Sequence, residues 1–476
     1  MKFQKFLLLG SLFFGLGAWG SGSPWKGFLS HLSGFNHITW SISFQGKDPL
    51  VKNISTPMVP ASLVKLITAA SALKNLGAST RFENHFEARF DRTQRAASGV
   101  RFTVSGDPTW GHEAYESFDD RINRVISELK ARGVRRVNGP IAVETSRPEL
   151  DEIPRPEGWP DRWNLECMAT LPSSFMMNGN CGSFRVLSLT RAEWLTPGVE
   201  LPIHLKLKAG AVTDLSIQPE FDSLKRTVGY TVSGKFSGHA DSEWVSSVPV
   251  YFGITWLKNL FISALSKNGI SYSEAGPDIS GDLLSVDLSS KTLQEILNVA
   301  VEDSINGVLD RVFFEIAHVL NLGSSGNEAT YALLREVVGD ESLMEGVRIE
   351  DGCGLVVDDR LRADLMIAFL SGVETQPYFS DLLSTLAIAG ETGTLADRLT
   401  GKLTRGKVFA KTGTIDQFYN LVGYFKTPSR KLIPFAIFSS SEESVTQVRD
   451  IIDQLVTEYA RLNTSASDPA ELFVAQ

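Results

Sequence analysis

The chain has 476 residues, 43% hydrophobic and 21% charged, with 40 glycines and 20 prolines. At roughly 100–200 residues per domain this is material for two to four packed domains, and a disordered, collagen-like or low-complexity chain is excluded. With 46 basic against 55 acidic residues the net charge is −9, which argues against a nucleic-acid partner because phosphate binding needs a basic surface.

Residues 1–20 carry Lys2 and Lys5, an apolar run from Phe6 to Trp19, and the small-x-small close Ala18-Trp19-Gly20. That is the pattern of a secretory signal peptide cleaved before Ser21. Loss of its two lysines takes the net charge from −9 to −11. No later stretch reaches the roughly 18–20 apolar residues of a membrane span, and the end, residues 464–476, is polar and short. The expectation is a soluble protein, periplasmic or secreted, with no membrane anchor after cleavage.

Ile38 to Phe44 alternates as a strand. Pro60 then precedes a helix over about 62–76, with Leu63, Leu66, Ile67, Ala70 and Leu73 on one face and Gly77 placed to end it. The middle, about 83–287, holds short β-like runs at 100–104, 201–207 and 228–232, broken by Gly, Pro and Ser, with one helical stretch at 118–132. Helical patterns return at 293–322 and 361–372. Three strands follow at 408–414, 419–425 and 432–439. The closing helix has Val445, Val448, Ile451, Ile452, Leu455 and Tyr459 on one side. A strand near one end and strands plus a helix near the other predict one domain built from 21–82 and 288–465. Residues 83–287 would then be inserted, and 466–476 would be a tail.

Ser62-Leu63-Val64-Lys65 is an S-x-x-K at a helix start. Positions i and i+3 share a face, so hydroxyl and amine can meet, and a lysine with a lowered pKa can take the serine's proton. A helix N-cap serine followed by a surface lysine gives the same letters, so the motif alone is weak. Lys411-Thr412-Gly413-Thr414 lies on a strand. It offers a fixed cation and two hydroxyls for a carboxylate, and its glycine permits close approach. Ser304-Ile305-Asn306 lies 242 residues after Ser62. Its serine can relay a proton and its asparagine can hold an amide. The ordered set S-x-x-K, S-x-N, K-T-G is the signature of serine penicillin-recognising enzymes. The three cysteines, Cys167, Cys181 and Cys353, and seven scattered histidines make no zinc spacing, so neither metal nor cofactor is expected. Cys167 and Cys181 can pair in an oxidising compartment, or all three thiols can be buried.

With these motifs the chain resembles the D-alanyl-D-alanine carboxypeptidase/endopeptidases among the low-molecular-mass, class C penicillin-binding proteins. The resemblance extends to Gly106-Asp107-Pro108-Thr109, Gly158-Trp159, Asp351-Gly352-Cys353-Gly354-Leu355, Gly393-Thr394-Leu395, and Tyr419-Asn420-Leu421 after Ala410-Lys411-Thr412-Gly413. It implies an α/β fold: a serine β-lactamase/transpeptidase-like domain, an antiparallel sheet flanked by helices, with a large β-rich insertion between S-x-x-K and S-x-N. It implies peptidoglycan stem peptides as substrates and β-lactams as covalent ligands. Ser62 would be acylated, Lys65 would be its base, and Ser304 would pass the proton to the leaving amine. Asn306 would hold the acyl-side amide, while Lys411, Thr412 and Thr414 bind the terminal carboxylate. Backbone N–H groups of Ser62 and Thr414 would form the oxyanion hole. The resemblance also implies a Cys167–Cys181 disulfide. A serine β-lactamase and a non-catalytic peptidoglycan-binding relative are the rival readings; the 242-residue gap argues against the first and the full motif set against the second.

The chain departs from the family's pattern at four places. Ile305 stands where the family has Asp, and Cys353 where it has Ser. Val357 replaces an Arg associated with the free end of the diaminoacid side chain, and Glu144 stands for an Asp of related role. Arg360 is the candidate to compensate for Val357.

Overall fold

The computed structural model describes residues 24–238, 244–251, 253–323 and 326–464. The expected signal peptide and C-terminal tail lie outside these residues. Six strands form one antiparallel sheet, in the order Ala387–Ile388, Val408–Ile415, Phe418–Lys426, Leu432–Ser440, Thr39–Phe44, Leu50–Lys52. The strand nearest the N-terminus therefore pairs with the last strand of the chain, Thr39 opposite Ser440 and Phe44 opposite Phe435.

Alternation along these strands buries both faces, as in a sheet packed on each side. One face packs Phe44, Phe425 and Phe435 against Trp25 and against Val448, Ile452, Leu455 and Tyr459 of the C-terminal helix Val445–Thr464. Each such side chain contributes about 1.5–3 kcal/mol when fully buried. Val445, expected on that apolar side, is 39% exposed because it is the first residue of the helix. The other face carries Val422, Ala436 and Phe438 against helices Val64–Asn75 and Ala363–Val373. Every residue from Val64 to Leu73 is buried. The Val64–Asn75 helix is therefore enclosed all round, which explains its alanines and small side chains. The fold is the expected one, an antiparallel sheet flanked by helices with a β-rich insertion.

Within 83–287, strands His85–Asp91, Ala96–Val104, Arg136–Asn138, Ser271–Ser273 and Asp282–Asp287 form a second sheet, backed by helices Phe118–Ala131 and Gly253–Lys267. Its edge strand Asp282–Asp287 pairs antiparallel with His85–Asp91, and Leu288 N donates to Asn84 O at 2.8 Å. Both ends of the segment thus leave at one place. Two further three-stranded sheets complete the segment. Cys167 and Cys181 are joined as a disulfide with Cα atoms 5.4 Å apart, and Cys353 is a buried free thiol.

Three details differ from the sequence reading. The helical pattern at 293–322 is two helices, Leu293–Glu302 and Asn306–Val319, broken where Ser304 takes φ +62°. The helix expected from Ser62 begins as a 3-10 turn, Ala61–Leu63, and becomes α-helical only at Val64. Helices Gly253–Lys267 and Asn327–Val338 were not anticipated.

Candidate active site

The site begins with the chain entering the Val64–Asn75 helix. Ala61 holds φ +49°, a left-handed conformation that costs a residue with a Cβ about 1–2 kcal/mol. Neighbouring elements hold it there. Asn420, on the Phe418–Lys426 strand, donates Nδ2 to both Val59 O and Pro60 O at 3.0 Å, and its Oδ1 accepts from Ser439 N. Gly413 lies so close that a Cβ there would meet Pro60 O at 2.5 Å. The glycine of K-T-G therefore makes room for the protein's own backbone beside Ser62, where the sequence had suggested room for a ligand. Gly354, at φ +83°, passes the Ala61 carbonyl on the opposite side, and a Cβ there would overlap it.

This arrangement sets Ser62 against Lys65. The Lys65 ammonium is buried and donates to Ser62 Oγ at 2.8 Å, Asn306 Oδ1 at 2.7 Å and Cys353 O at 2.6 Å. The ammonium uses all three protons here, and the neutral amine keeps two for Asn306 and Cys353 and turns its lone pair to Ser62. Burial pulls its pKa below the usual lysine value, while Cys353, Asp310 and Asp351 behind it pull the other way. Asn306 opens the Asn306–Val319 helix and donates Nδ2 to Met168 O at 2.8 Å, tying that helix to the segment that contains Cys167. Ser304 sits at the left-handed break two residues earlier. Among the described residues its hydroxyl makes no hydrogen bond to Ser62, Lys65 or Lys411.

Lys411 is buried on the Val408–Ile415 strand and donates to Thr412 O at 3.1 Å. Burial, then the like charge of Lys65, drives its pKa far below the usual value; Asp303 opposes them. The two lysines therefore feel each other's charge. Thr412 and Thr414 alternate with Lys411 onto the other face of the strand. Thr412 Oγ1 donates to Thr394 Oγ1 at 3.0 Å, and Thr414 Oγ1 accepts from Arg449 Nη2 at 3.4 Å. Thus Ser62, Lys65 and Asn306 are hydrogen-bonded together, Lys411 lies within electrostatic reach, and the threonine hydroxyls line the strand beside them.

Sequence reasoning gave no role to the carboxyls beneath the site. Asp351 accepts from the backbone N–H groups of Cys353, Gly354, Leu355 and Val356 and from Trp159 Nε1. It fixes the turn whose Cys353 carbonyl receives Lys65. Trp159 is buried and clamps this turn to the inserted segment. Asp310 accepts from Gly352 N at 2.9 Å, and burial, then the nearby Asp351, pushes its pKa up to about 8. Asp310, Asp351 and Cys353 are close enough together to suggest a metal, but both Asp351 oxygens are already taken by N–H donors. Asp107 is a buried hub: it accepts from Asn84, Thr109 and Arg121. Arg360 turns its guanidinium back onto Val357 O and Asp359 O, and Glu144 pairs with Arg101 at 3.4 Å.

Residues 45–462 match the model of the D-Ala-D-Ala carboxypeptidase 3 (S13) family. The chain belongs to this family. It is 26% identical over 425 residues, 85% of this chain and 77% of the relative, to a D-alanyl-D-alanine carboxypeptidase of Actinomadura. To the D-alanyl-D-alanine carboxypeptidase DacB of Haemophilus influenzae it is 23% identical over 405 residues, 81% of each chain. The crystal structure of penicillin binding protein 4 from the same organism has this fold, with a TM-score of 0.67 and 18% identity over 90% of this chain and 97% of that one. Among the described residues no helix is long and apolar enough to cross a membrane.

Proposed function

We propose that the chain is an exported serine DD-peptidase that cleaves peptidoglycan stem peptides through a Ser62 acyl-enzyme. The observation that carries this is the contact between Ser62 Oγ and a buried Lys65 amine whose pKa is lowered, in a member of the carboxypeptidase family. Neutral Lys65 takes the Ser62 proton as Oγ attacks the carbonyl carbon of the penultimate D-alanine. The C–N bond breaks, and the proton passes through Ser304 to the leaving amine. Water then hydrolyses the ester. Backbone N–H groups of Ser62 and Thr414 serve the oxyanion, a term of about 3–4 kcal/mol per donor. Asn306 holds the acyl-side amide, while Lys411, Thr412 and Thr414 hold the terminal carboxylate. Loss of a free D-alanine is carboxypeptidation; loss of a cross-linked side-chain amine is endopeptidation through the same intermediate. β-Lactams would acylate Ser62.

Residues 1–20 act in this reading as the export signal, and the Cys167–Cys181 disulfide suits an oxidising compartment such as the periplasm. Residues 83–287 form an insertion in a catalytic domain of 21–82 and 288–465. The test is incubation of the mature chain with an N-acetylated stem pentapeptide and with a D-Ala-linked dimer. Release of D-alanine or of the monomer, abolished by Ser62→Ala, is expected. Rapid turnover of penicillin with both peptides left intact would instead identify a β-lactamase.

A further inference from the structure

Arg449 stands in the second turn of the C-terminal helix, exposed, with Nη2 3.4 Å from Thr414 Oγ1. The acid one helical turn further on, Asp453, is not its partner. Asp453 is held by Arg398, with Nη2 2.6 Å from Oδ1 and Nε 3.2 Å from Oδ2. Among the described residues Arg449 forms no ion pair. Asp453 acts on it only at a distance, and the Arg449 guanidinium fork points at the last hydroxyl of Lys411-Thr412-Gly413-Thr414. In the reading above, Lys411 acts on the terminal carboxylate from the other face of the strand, where burial and then Lys65 disfavour its charge. On the face opposite Lys411, Thr412 is half-buried and donates to Thr394 Oγ1, while the exposed Thr414 hydroxyl faces Arg449, and these hydroxyls are neutral. A carboxylate seated at the Thr414 hydroxyl would meet the full positive charge of Arg449.

We propose that Arg449 is a specificity-determining residue that binds the terminal carboxylate of the stem peptide, with the Thr414 hydroxyl between its guanidinium and the strand. This rests on the DD-peptidase reading above. It adds to that reading a residue 387 positions from Ser62 in sequence and a source of selectivity for chains ending in a free acid. A planar guanidinium matches a carboxylate in two parallel N–H···O bonds, and a hydroxyl does not. Arg398 takes part by holding both Asp453 oxygens, which leaves Asp453 to act on Arg449 only at a distance.

The experiment uses two matched thioester substrates, an N-acyl-D-alanyl thioglycolate ending in a free carboxylate and its methyl ester, with the mature chain and its Arg449→Ala and Arg449→Lys variants. Both substrates acylate the same serine, so only the carboxylate differs. For Arg449→Ala, kcat/KM on the acid should fall about tenfold to a hundredfold, while that on the ester changes less than about threefold. Arg449→Lys should lie between, since it keeps the charge and loses the fork. Equal falls on both substrates would overturn the proposal and make Arg449 a support for the strand, as would no fall on either. If the unmutated chain acylates with neither substrate, the DD-peptidase reading fails first, and that outcome is distinct from both.

Discussion

Replacing Gly354 by alanine tests whether the site depends on the path of the backbone around Ser62. The residue holds φ +83°, and an added Cβ would lie closer to the carbonyl carbon and oxygen of Ala61 than the 3.0 Å that real Cβ atoms keep, with Ser62 N at 3.1 Å. No side-chain rotation relieves this, because the obstacle is main chain. The left-handed conformation alone costs alanine about 1–2 kcal/mol. Relief of the overlap needs a movement of about 1 Å, and a misplacement of that size costs about a hundredfold in rate. The moving segment, Pro60–Leu63, is the one that Asn420 holds from the other side, so Ser62 must leave the Lys65 amine. Gly354→Ala should therefore slow acylation by a fluorescent penicillin about a hundredfold and lower the Tm. Gly77→Ala is the control: its φ is +88° but its Cβ would stand in open space. It should lose a similar 1–2 kcal/mol with acylation unchanged. A folded Gly354→Ala protein that acylates at the parent rate would refute the argument.

Two further outcomes follow from buried polar groups. Glu315 accepts from Arg147 at 2.7 and 3.1 Å and from Arg311 at 2.6 Å, and the two guanidinium groups overcome its burial to hold its pKa at about 2 against 4.5. A depressed carboxyl pKa gives stability that is present above the unfolded value and lost as pH falls through the folded one. About 3 kcal/mol should therefore disappear between pH 4.5 and 2. Urea unfolding should show this loss, and Glu315→Gln should be weaker at neutral pH and flat across that window. The Cys353 carbonyl is what Lys65 hydrogen-bonds, and burial raises the thiol pKa well above the usual value. Cys353→Ser should then acylate within about threefold of the parent, and a maleimide should label Cys353 only after unfolding.

Much of the site was legible because its chemistry lies in short motifs on regular elements. Ser62 and Lys65 share a helix face, and Lys411, Thr412 and Thr414 lie on one strand. Asn306, more than 240 residues away, was found through the order of the motifs and a family resemblance, since no periodicity joins it to Lys65. The supporting groups were less legible. Asp310, Asp351 and Asn420 work by accepting or donating main-chain bonds across the fold, and local sequence carries no sign of such a partner. The break at Ser304 was hidden because no Gly or Pro interrupts 302–305, and tertiary contacts pay for its left-handed φ. Helix Gly253–Lys267 is apolar and aromatic on several sides, so its period is blurred. Helix Asn327–Val338 is different: Ala329, Leu333, Leu334 and Val337 stand at helical spacing, so its apolar face is readable in the sequence.

The central claim is that Ser62 is the acylated nucleophile and Lys65 its base. It is tested most directly by mass spectrometry of the mature chain after brief exposure to benzylpenicillin. The account predicts a single adduct of the intact penicillin mass on the peptide containing Ser62, absent in Ser62→Ala. Lys65→Met should form it slower by about a hundredfold or more, the typical size of general-base catalysis. An adduct that persists in Ser62→Ala, or that maps to Cys353 or Ser304, would contradict it.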